Sequence, residues 1–333
     1  MLLKRAIDSV RSQTWRDVEI VVRDNCSEDS TERLVCEIAK VDPRVKFVKN
    51  AENIGPHNNI KLGLDDVKTD FFSILSDDDY LDPDFYSYAM RVFDQHPDAG
   101  FVACSVNTVN LNGEILNIDG KKLNSDTCNG TDSIKLTYYS SDEGIAGYLS
   151  GSFPHTWTGY VFRREVASIV RMPDFCEVGY GGDIFFIWCA ATKFNFVVSN
   201  FRGANFTAHS KSTSSTLVNA FDERFLYWWR NRLSIIMSDP LVSTSIKKII
   251  SEYYLSDSTK SFKYLKYYMH SAIILILDRV RCGRVEELKY DFIAMRSFVP
   301  RPILIGIKYC IVVLVYLKLD IFLRNFIRRA RNV

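Results

Sequence analysis

The chain is long enough, at 333 residues of which 47% are hydrophobic, to bury a large core, so an intrinsically disordered protein is excluded. Its net charge of +2 is unevenly distributed, because residues 241–333 carry 17 Lys and Arg against 7 Asp and Glu, whereas residues 1–240 carry 25 against 33. An acidic body argues against a nucleic-acid groove, and the basic end predicts contact with an anionic surface.

The first part of the chain alternates between helical and strand patterns. Strands that alternate with helices of 10 to 13 residues predict right-handed crossovers and a mostly parallel sheet. The predicted elements are a helix over the first residues, a strand at 18–24, a helix that begins with a capping box of Asp29 and Glu32, a strand at 45–48, a loop and helix at 53–67 and a strand at 71–75.

Acidic residues follow two of these predicted strands. Asp24 ends the first strand, and Asp77, Asp78 and Asp79 follow the third. Ligands of open α/β sheets sit beyond the carboxyl ends of the strands, so these side chains are expected at the edge that binds a ligand. Asp82 is predicted instead to cap the next helix, with Pro83 as its first residue.

The second part of the chain predicts further strands and helices around one long polar segment. Residues 120–150 are rich in turn-forming residues and are expected to form a loop that faces an acceptor. The other predicted elements are a strand and hairpin at 99–118, a strand and helix at 156–170, a glycine-rich loop and helix at 179–194 and a short last strand at 195–200.

The three adjacent aspartates need an explanation, because neighbouring carboxylates repel each other by on the order of 3 kcal/mol at an effective dielectric near 20. A solvated turn, a divalent-cation site and a phosphoaspartyl nucleophile are all compatible with the triplet alone. Mg²⁺ and Mn²⁺ prefer carboxylate oxygens and typically take one or two of them from the protein, with substrate phosphates completing the shell. A ligand that bears a diphosphate explains the crowding of the three carboxylates.

Several segments, taken together, resemble a known family. They are LKRAIDSVRSQTWRDVEIVVRDNCSEDST, NIGPHNNIKLGL and ILSDDDYLDPDF, which lie in this order within residues 1–110. In order and spacing they resemble the nucleotide-sugar-binding half of glycosyltransferase family 2. The resemblance implies the GT-A fold, a Rossmann-like, mostly parallel sheet flanked by helices, and an inverting transfer from a nucleotide sugar.

The resemblance also implies roles for individual residues. Asp24, with Asn25 beside it, falls where the family contacts the nucleobase, and Asn53 and Lys61 fall near the nucleotide pocket. The resemblance implies that Asp77 and Asp78 have the DXD-type function, which grips the ribose and a Mg²⁺ or Mn²⁺ ion. Ser76 stands where the family usually has an aspartate, so the metal is expected to be held by Asp78 with help from Asp77 or Asp79.

The chain also departs from the family pattern at its beginning. The family's first strand normally precedes the segment that opens this chain. Two expectations follow from this: the strand is encoded upstream of Met1, or the chain is a truncated copy that acts as a catalytically inactive scaffold. A nucleotidyltransferase is a further alternative, although the glycine-rich, Arg- or Lys-bearing loop of those enzymes is not found in the sequence.

An inverting transfer needs a base for the acceptor hydroxyl. Asp183 matches the aspartate of a Glu-Asp pair in the family, and Gly182 replaces the glutamate. We expect Asp183 to be the base rather than only a helix cap. His209 is a second candidate ligand of the metal or diphosphate, with Lys211 as a phosphate contact beside it.

The remaining aromatic and histidine residues are interpreted more simply. Trp157 and Tyr160 are able to stack on a sugar, but aromatic residues at this density usually belong to the core. The histidines that are interpreted as ordinary core or surface residues are His57, His96, His155 and His270. The eight cysteines lack C-x-x-C spacing, which favours reduced thiols in a cytosolic protein.

The basic end of the chain predicts membrane attachment. Residues 303–317 are apolar but interrupted by Lys308, and residues 318–333 alternate apolar and basic side chains. This pattern favours a helical extension that lies on anionic lipid over one that packs on the body or spans the bilayer. The expected domains are a nucleotide-sugar-binding half (1–110), an acceptor-binding half (111–215) and this extension (216–333).

The sequence therefore predicts a glycosyltransferase of bacterial surface polysaccharide synthesis, such as O-antigen synthesis. Its donor is expected to be a nucleoside-diphosphate sugar, most simply UDP-linked, and its acceptor a saccharide or lipid-linked oligosaccharide. The expected location is the cytoplasmic face of the plasma membrane, to which the chain binds peripherally, and no nucleic acid is expected as a partner.

Overall fold

A computed structural model of the chain describes residues 2–116, 133–149, 153–154, 156–170, 172, 182–210 and 235–256. The chain divides into two compact units, one of residues 1–216 with 239–246 and one of residues 217–238 with 247–333. The candidate site lies in the first unit. Lys211, His155, His270 and the basic extension from 303 onward lie outside the described residues, and the predicted domain boundaries stay predictions.

Helices and strands alternate through the first unit. The helices are α1 (Leu2–Arg11), α2 (Thr31–Val41), α3 (Pro56–Asp65), α4 (Phe85–Gln95), α5 (Ser141–Leu149), α6 (Arg164–Ile169), α7 (Gly182–Ala191) and α8 (Thr244–Ser256), the last of which runs into the second unit. The strands are β1 (Ile20–Asp24), β2 (Val45–Lys49), β3 (Phe71–Phe72), β4 (Tyr80–Leu81), β5 (Ala99–Val109), β6 (Leu136–Tyr139), β7 (Tyr160–Arg163) and β8 (Asn195–Thr207).

The first two strands form a parallel pair, as the sequence predicts. β1 and β2 run in register from the Ile20–Val45 pair to the Asp24–Lys49 pair. α2 connects them as a crossover, and its Val35 and Ile38 are buried. Parallel neighbours need such a crossover, so Asp24 and the residues after Lys49 emerge at the same edge.

A second, six-stranded sheet carries the rest of the first unit. Its order is β3-β7-β5-β8-β4, and β6 joins β8. Only the β5–β8 pairing in this sheet is parallel, while β3–β7, β5–β7, β4–β8 and β6–β8 are antiparallel. The expectation of a mostly parallel sheet is therefore wrong for these strands, because the strands that pair are not successive strands joined by one crossover helix, as β1 and β2 are.

Several local predictions also need correction. Only Phe71 and Phe72 of the predicted strand at 71–75 pair with a neighbour, and residues 73–76 lead into the acidic turn. α4 begins at Phe85 with Asp84 before it, so Asp82 does not cap it; its carboxylate accepts a hydrogen bond from Asn205 Nδ2 at 2.9 Å instead.

The predicted capping box of α2 does not form either. Ser30 precedes the helix and makes no side-chain cap hydrogen bond. Asp29 Oδ1 accepts from the backbone N–H of Thr31 at 2.9 Å, which is a turn within the loop, and Glu32 pairs with Lys49 of β2. Both acidic residues therefore make other contacts nearby. The spacing, which resembles S/T-x-x-E, did not distinguish these contacts from a helix cap.

The core is built around β5, whose first six residues are buried. Phe101 of β5 stacks on Phe196 of β8 with ring centroids 4.6 Å apart, and Trp157 and Tyr160 are also buried. The interpretation of these two aromatic residues as core is confirmed. The segment at 120–150 is not wholly a loop, because it contains β6 and α5; residues 117–132 lie outside the description.

Candidate active site

A network of amide side chains forms where β1 and β2 end. Asn25 Nδ2 donates to Asn53 Oδ1 at 2.8 Å, and Asn25 Oδ1 accepts from the backbone N–H of Ile54 at 3.0 Å and from Asn50 Nδ2 at 3.2 Å. Asn50 also donates to Asn59 Oδ1 at 2.9 Å. The loop that follows β1 and the loop that follows β2 are thereby fixed to each other.

Asp24 anchors the base of this network. Its side chain is only 5% exposed, and its carboxylate accepts from the backbone N–H of Ser27 at 3.0 Å. Cys26 between them has a φ of 64°, a left-handed conformation that closes the turn. The Asp24 carboxylate is therefore held in place by the turn that follows β1.

The structure brings together three of the residues predicted to bind the nucleotide, namely Asp24, Asn25 and Asn53. It adds Asn50 and Asn59, which the sequence analysis missed, although Asn50 directly follows β2 and its position was a usable signal. Lys61 lies on α3 and is partly exposed.

A second cluster, the acidic loop (Asp77, Asp78 and Asp79), lies between β3 and β4. Asp79 is 1% exposed and accepts hydrogen bonds from the backbone N–H of Thr207 at 2.8 Å and from the hydroxyl of Thr158. Burial raises the pKa of Asp79 to about 6. Its two oxygens join the loop to the end of β8 and to the turn before β7, so Asp79 has a structural role.

Asp78 meets the predicted histidine. His209 Nε2 lies 3.0 Å from Asp78 Oδ2, although 131 residues separate them in the chain. Arg5 of α1 links the two segments that carry this pair, because its guanidinium donates to the Asp78 carbonyl and to the Thr207 hydroxyl, both at 2.7 Å. The Arg5 guanidinium also lies over the Tyr80 ring, 4.4 Å from its centroid.

The acidic loop suits a divalent cation only together with a ligand. Desolvation of the carboxyl group and the neighbouring charge of Asp78 raise the pKa of Asp77, although its side chain is exposed, and a cation would offset the repulsion between the two carboxylates. Within the described residues no group of three His, Cys, Asp or Glu side chains is placed to hold a metal by itself. Mg²⁺ and Mn²⁺ usually bind one or two protein carboxylates together with substrate phosphates, and the donor set here fits that mode.

The candidate base lies at the start of a buried helix. Asp183 is the second residue of α7 and partly buried, and a carboxylate in the first turn is favoured by the helix dipole. Gly182, before it, packs against His57: a Cβ built on Gly182 falls 2.6 Å from His57 Nδ1. A glutamate side chain, which the family resemblance implies at this position, has no room here.

No helix in the parts of the chain that the structure describes combines the length and apolar character needed to cross a membrane. The basic extension, on which the prediction of membrane attachment depends, is not among those parts.

Comparison with known proteins shows which family the first part of the chain is similar to. Residues 2–141 match the family model described as glycosyl transferase family 2. A GalNAc(5)-diNAcBac-PP-undecaprenol β-1,3-glucosyltransferase of Campylobacter jejuni is 39% identical over 82 residues, which are 24% of this chain and 26% of that protein. The succinoglycan biosynthesis protein ExoO of Rhizobium meliloti is 32% identical over 119 residues, 36% of this chain and 31% of that protein.

Solved structures share the fold over most of the chain. Staphylococcus aureus TarS 1–349 in complex with UDP-GlcNAc superposes with a TM-score of 0.62 at 15% identity, over 89% of this chain and 76% of that one. A mannosyltransferase of Pyrobaculum calidifontis in complex with GDP-Man and Mn²⁺ gives a TM-score of 0.51 at 13% identity, over 97% and 79%. The GT-A-like α/β fold is therefore confirmed, whereas the match spans less than a third of the length of either curated relative.

Proposed function

We propose that this chain, whose residues 2–141 belong to glycosyl transferase family 2, moves a sugar from a nucleoside-diphosphate sugar to an acceptor hydroxyl with inversion at the anomeric carbon. The observation that carries the proposal is the contact between Asp78 of the acidic loop and His209, which follows β8. These two residues are 131 positions apart in the chain and meet in the folded protein. A binding site requires such a contact, whereas a solvated turn does not.

The amide network is the proposed nucleotide side of the site. Asn25 and Asn53 satisfy each other and the loop backbone, so the surface offered to the base is already ordered before a ligand binds. Ordered groups cost less conformational entropy on binding. We propose a UDP-linked donor, because TarS is seen with UDP-GlcNAc and UDP; the mannosyltransferase with GDP-Man makes a GDP-linked donor the competitor to test.

The acidic loop is the proposed diphosphate side. Asp78, aided by Asp77 and His209, would hold a Mg²⁺ or Mn²⁺ ion, which when bound neutralises the charge that develops on the leaving diphosphate. Asp79, already bonded to Thr158 and Thr207, fixes the loop's position. Arg5 donates to the Asp78 carbonyl and so orients Asp78, the main proposed metal ligand.

Asp183 is the proposed base. Its carboxylate takes the proton of the acceptor hydroxyl while the hydroxyl oxygen forms a bond to the anomeric carbon. The bond from that carbon to the diphosphate oxygen breaks, and the nucleoside diphosphate leaves with the electron pair. Attack on the face opposite the leaving group inverts the configuration.

The proposed acceptor is a saccharide or a lipid-linked oligosaccharide of bacterial surface polysaccharide synthesis. The Campylobacter relative is named for an undecaprenol-linked substrate, and the Rhizobium relative for succinoglycan biosynthesis. We propose that the basic end of the chain, where residues 241–333 carry 17 Lys and Arg against 7 Asp and Glu, binds the inner face of the membrane. Transfer to a lipid-linked acceptor is consistent with this location.

The experiment that tests the function measures release of UDP or GDP from a panel of nucleotide sugars with Mn²⁺, with membrane extract as the source of acceptor. We expect turnover with a UDP-linked donor, its loss by about a thousandfold in Asp183→Asn, and unchanged UDP affinity in that variant. Asp94→Asn, which changes an exposed carboxylate on α4, is the matched control and is expected to retain wild-type turnover.

Three results contradict the proposal. Retained turnover in Asp183→Asn removes that residue from the mechanism. No UDP or GDP binding and no turnover by the wild-type chain supports an inactive scaffold, whereas release of pyrophosphate from a nucleoside triphosphate supports a nucleotidyltransferase.

A further inference from the structure

We propose that His57 is a positioning residue for Asp183, and that it links the loop of the amide network to the first turn of α7. The inference rests on the proposed function, because positioning matters only if Asp183 acts on an acceptor. Nothing in the family match assigns a part to His57, and its sequence context alone indicates an ordinary core histidine.

The first observation is that the amide network fixes where His57 lies. Asn53 Oδ1 accepts from the backbone N–H of Gly55 at 3.0 Å and from Asn25 Nδ2 at 2.8 Å. Gly55, with a φ of 82°, turns the chain into α3, and Pro56 is the first residue of that helix. His57 follows directly, so its backbone is held by the same contacts that order the proposed nucleotide side.

The second observation is that the His57 ring presses on the start of α7. A Cβ on Gly182 would lie 2.6 Å from His57 Nδ1 and 2.8 Å from His57 Cε1, and 3.0 Å from Met172 Cε. His57 is 7% exposed, so the imidazole is enclosed rather than swung out to solvent. The glycine at 182 is what allows the ring to rest against the backbone of the residue that precedes Asp183.

Together these contacts join two segments that lie more than 120 residues apart in the chain. The donor-side loop determines the position of the ring, and the ring determines where the first turn of α7 begins. A displacement of about 1 Å at a reacting group can cost about a hundredfold in rate. Loss of the ring is therefore expected to lower turnover while leaving the nucleotide side intact.

The first test compares His57→Ala with wild type. We expect kcat for transfer from the UDP-linked donor to fall by about 10- to 100-fold, with unchanged affinity for UDP and Mn²⁺ by calorimetry. In Asp183→Asn the added His57→Ala change is expected to cost nothing further, since a positioning residue acts only through the group that it positions. His96→Ala, a partly exposed histidine after α4, is the control and is expected to retain wild-type kcat.

The second test approaches the same contact from the other side, in case His57→Ala folds poorly. Alanine has a higher helix propensity than glycine, and Gly182 has no positive φ. Gly182→Ala is therefore expected to raise Tm if the added methyl group has room. In the wild-type chain it is expected to lower Tm and kcat, because the methyl group displaces His57. In His57→Ala the same substitution is expected to leave Tm unchanged or raise it.

The outcomes separate this inference from the proposed function. A wild-type chain that binds no UDP and turns over no donor overturns the proposed function and this inference with it. An active wild type whose kcat is unchanged in His57→Ala overturns the inference alone. It is also overturned if kcat and UDP affinity fall together, which indicates general damage, or if Gly182→Ala has the same effect with and without His57.

Discussion

The amide network and the acidic loop satisfy their polar groups in opposite ways. In the network, Asn25 and its neighbours donate to and accept from one another, so neutral groups are paired without any ligand. In the acidic loop, desolvation and the neighbouring carboxylate raise the pKa of the exposed Asp77, and burial raises that of Asp79 to about 6. The polar groups of the amide network are therefore paired without a ligand. The carboxylates of the acidic loop would be stabilised by a positive charge that the described side chains do not fully supply.

A carboxylate elsewhere in the first unit shows that the chain can neutralise an acid when its role is only structural. Asp42, after α2, accepts from Arg11 Nε at 2.9 Å and from Arg44 Nη2 at 2.8 Å. These arginines hold the pKa of Asp42 well below its usual range. Within the described residues, the acidic loop receives one guanidinium, Arg5, and it donates to a carbonyl and a hydroxyl rather than to a carboxylate.

The largest expected effect that sharpens this contrast comes from Asp78→Asn. The substitution keeps the shape of the side chain and removes the charge that we assign to the metal grip. Turnover with Mn²⁺ is expected to fall by about a thousandfold, because stabilisation of the leaving diphosphate is lost. Steady-state release of UDP measures it, and a loss of less than about threefold would contradict the assignment.

The next effect concerns stability. The pKa of Asp79 is about 6 in the folded protein and near 3.8 in the unfolded chain, so the folded protein binds the proton more tightly. The free energy of unfolding therefore falls as the pH rises from about 4 to about 6, by on the order of 3 kcal/mol. The asparagine in Asp79→Asn cannot ionise, so this variant should not show the same fall in the free energy of unfolding.

Thermal unfolding of both proteins between pH 4 and 7.5, in buffer treated with a chelator, checks the prediction. The wild type is expected to lose Tm relative to Asp79→Asn as the pH rises through this interval. Parallel curves would show that burial of Asp79 carries no such cost. Acid-sensitive groups such as Asp42 are common to both proteins, so the difference between the curves isolates Asp79.

The smallest effect is expected in the amide network. Asn25→Ala removes the partners of Asn53, Asn50 and the Ile54 N–H, and should weaken UDP affinity by about tenfold. Because no charge is involved, the loss is expected to be the same with and without Mn²⁺. Asn112→Ala, in an exposed turn after β5, is the control; an Asn25→Ala effect that appears only with Mn²⁺ would break the distinction between the regions.

Sequence patterns predicted the fold best where local signals and tertiary structure agree. The alternation of helix and strand through residue 49 predicted the β1–β2 pair, and the helix predicted over the first residues is α1. The apolar strand at Phe71–Phe72 was also recognised, but its direction was not. Antiparallel pairing with β7 joins residues some 90 positions apart, and no local pattern encodes such a partner.

Site residues were predictable by type, and their contacts were not. The aspartates after β3 and the amides after β1 stand out in the sequence, yet only the folded chain shows that His209 reaches Asp78 and that Asp79 serves Thr158 and Thr207. His57 was overlooked for the same reason. Its importance depends on the missing side chain of Gly182, on a helix distant in sequence.

The most direct test of the central claim, that the acidic loop holds a divalent ion against the donor's diphosphate, is a calorimetric titration of the wild-type chain with UDP, first in chelator and then with Mn²⁺. We expect at least about tenfold tighter binding with Mn²⁺, and the gain should disappear in Asp78→Asn. Equal affinity for UDP with and without Mn²⁺ in the wild-type chain would contradict it.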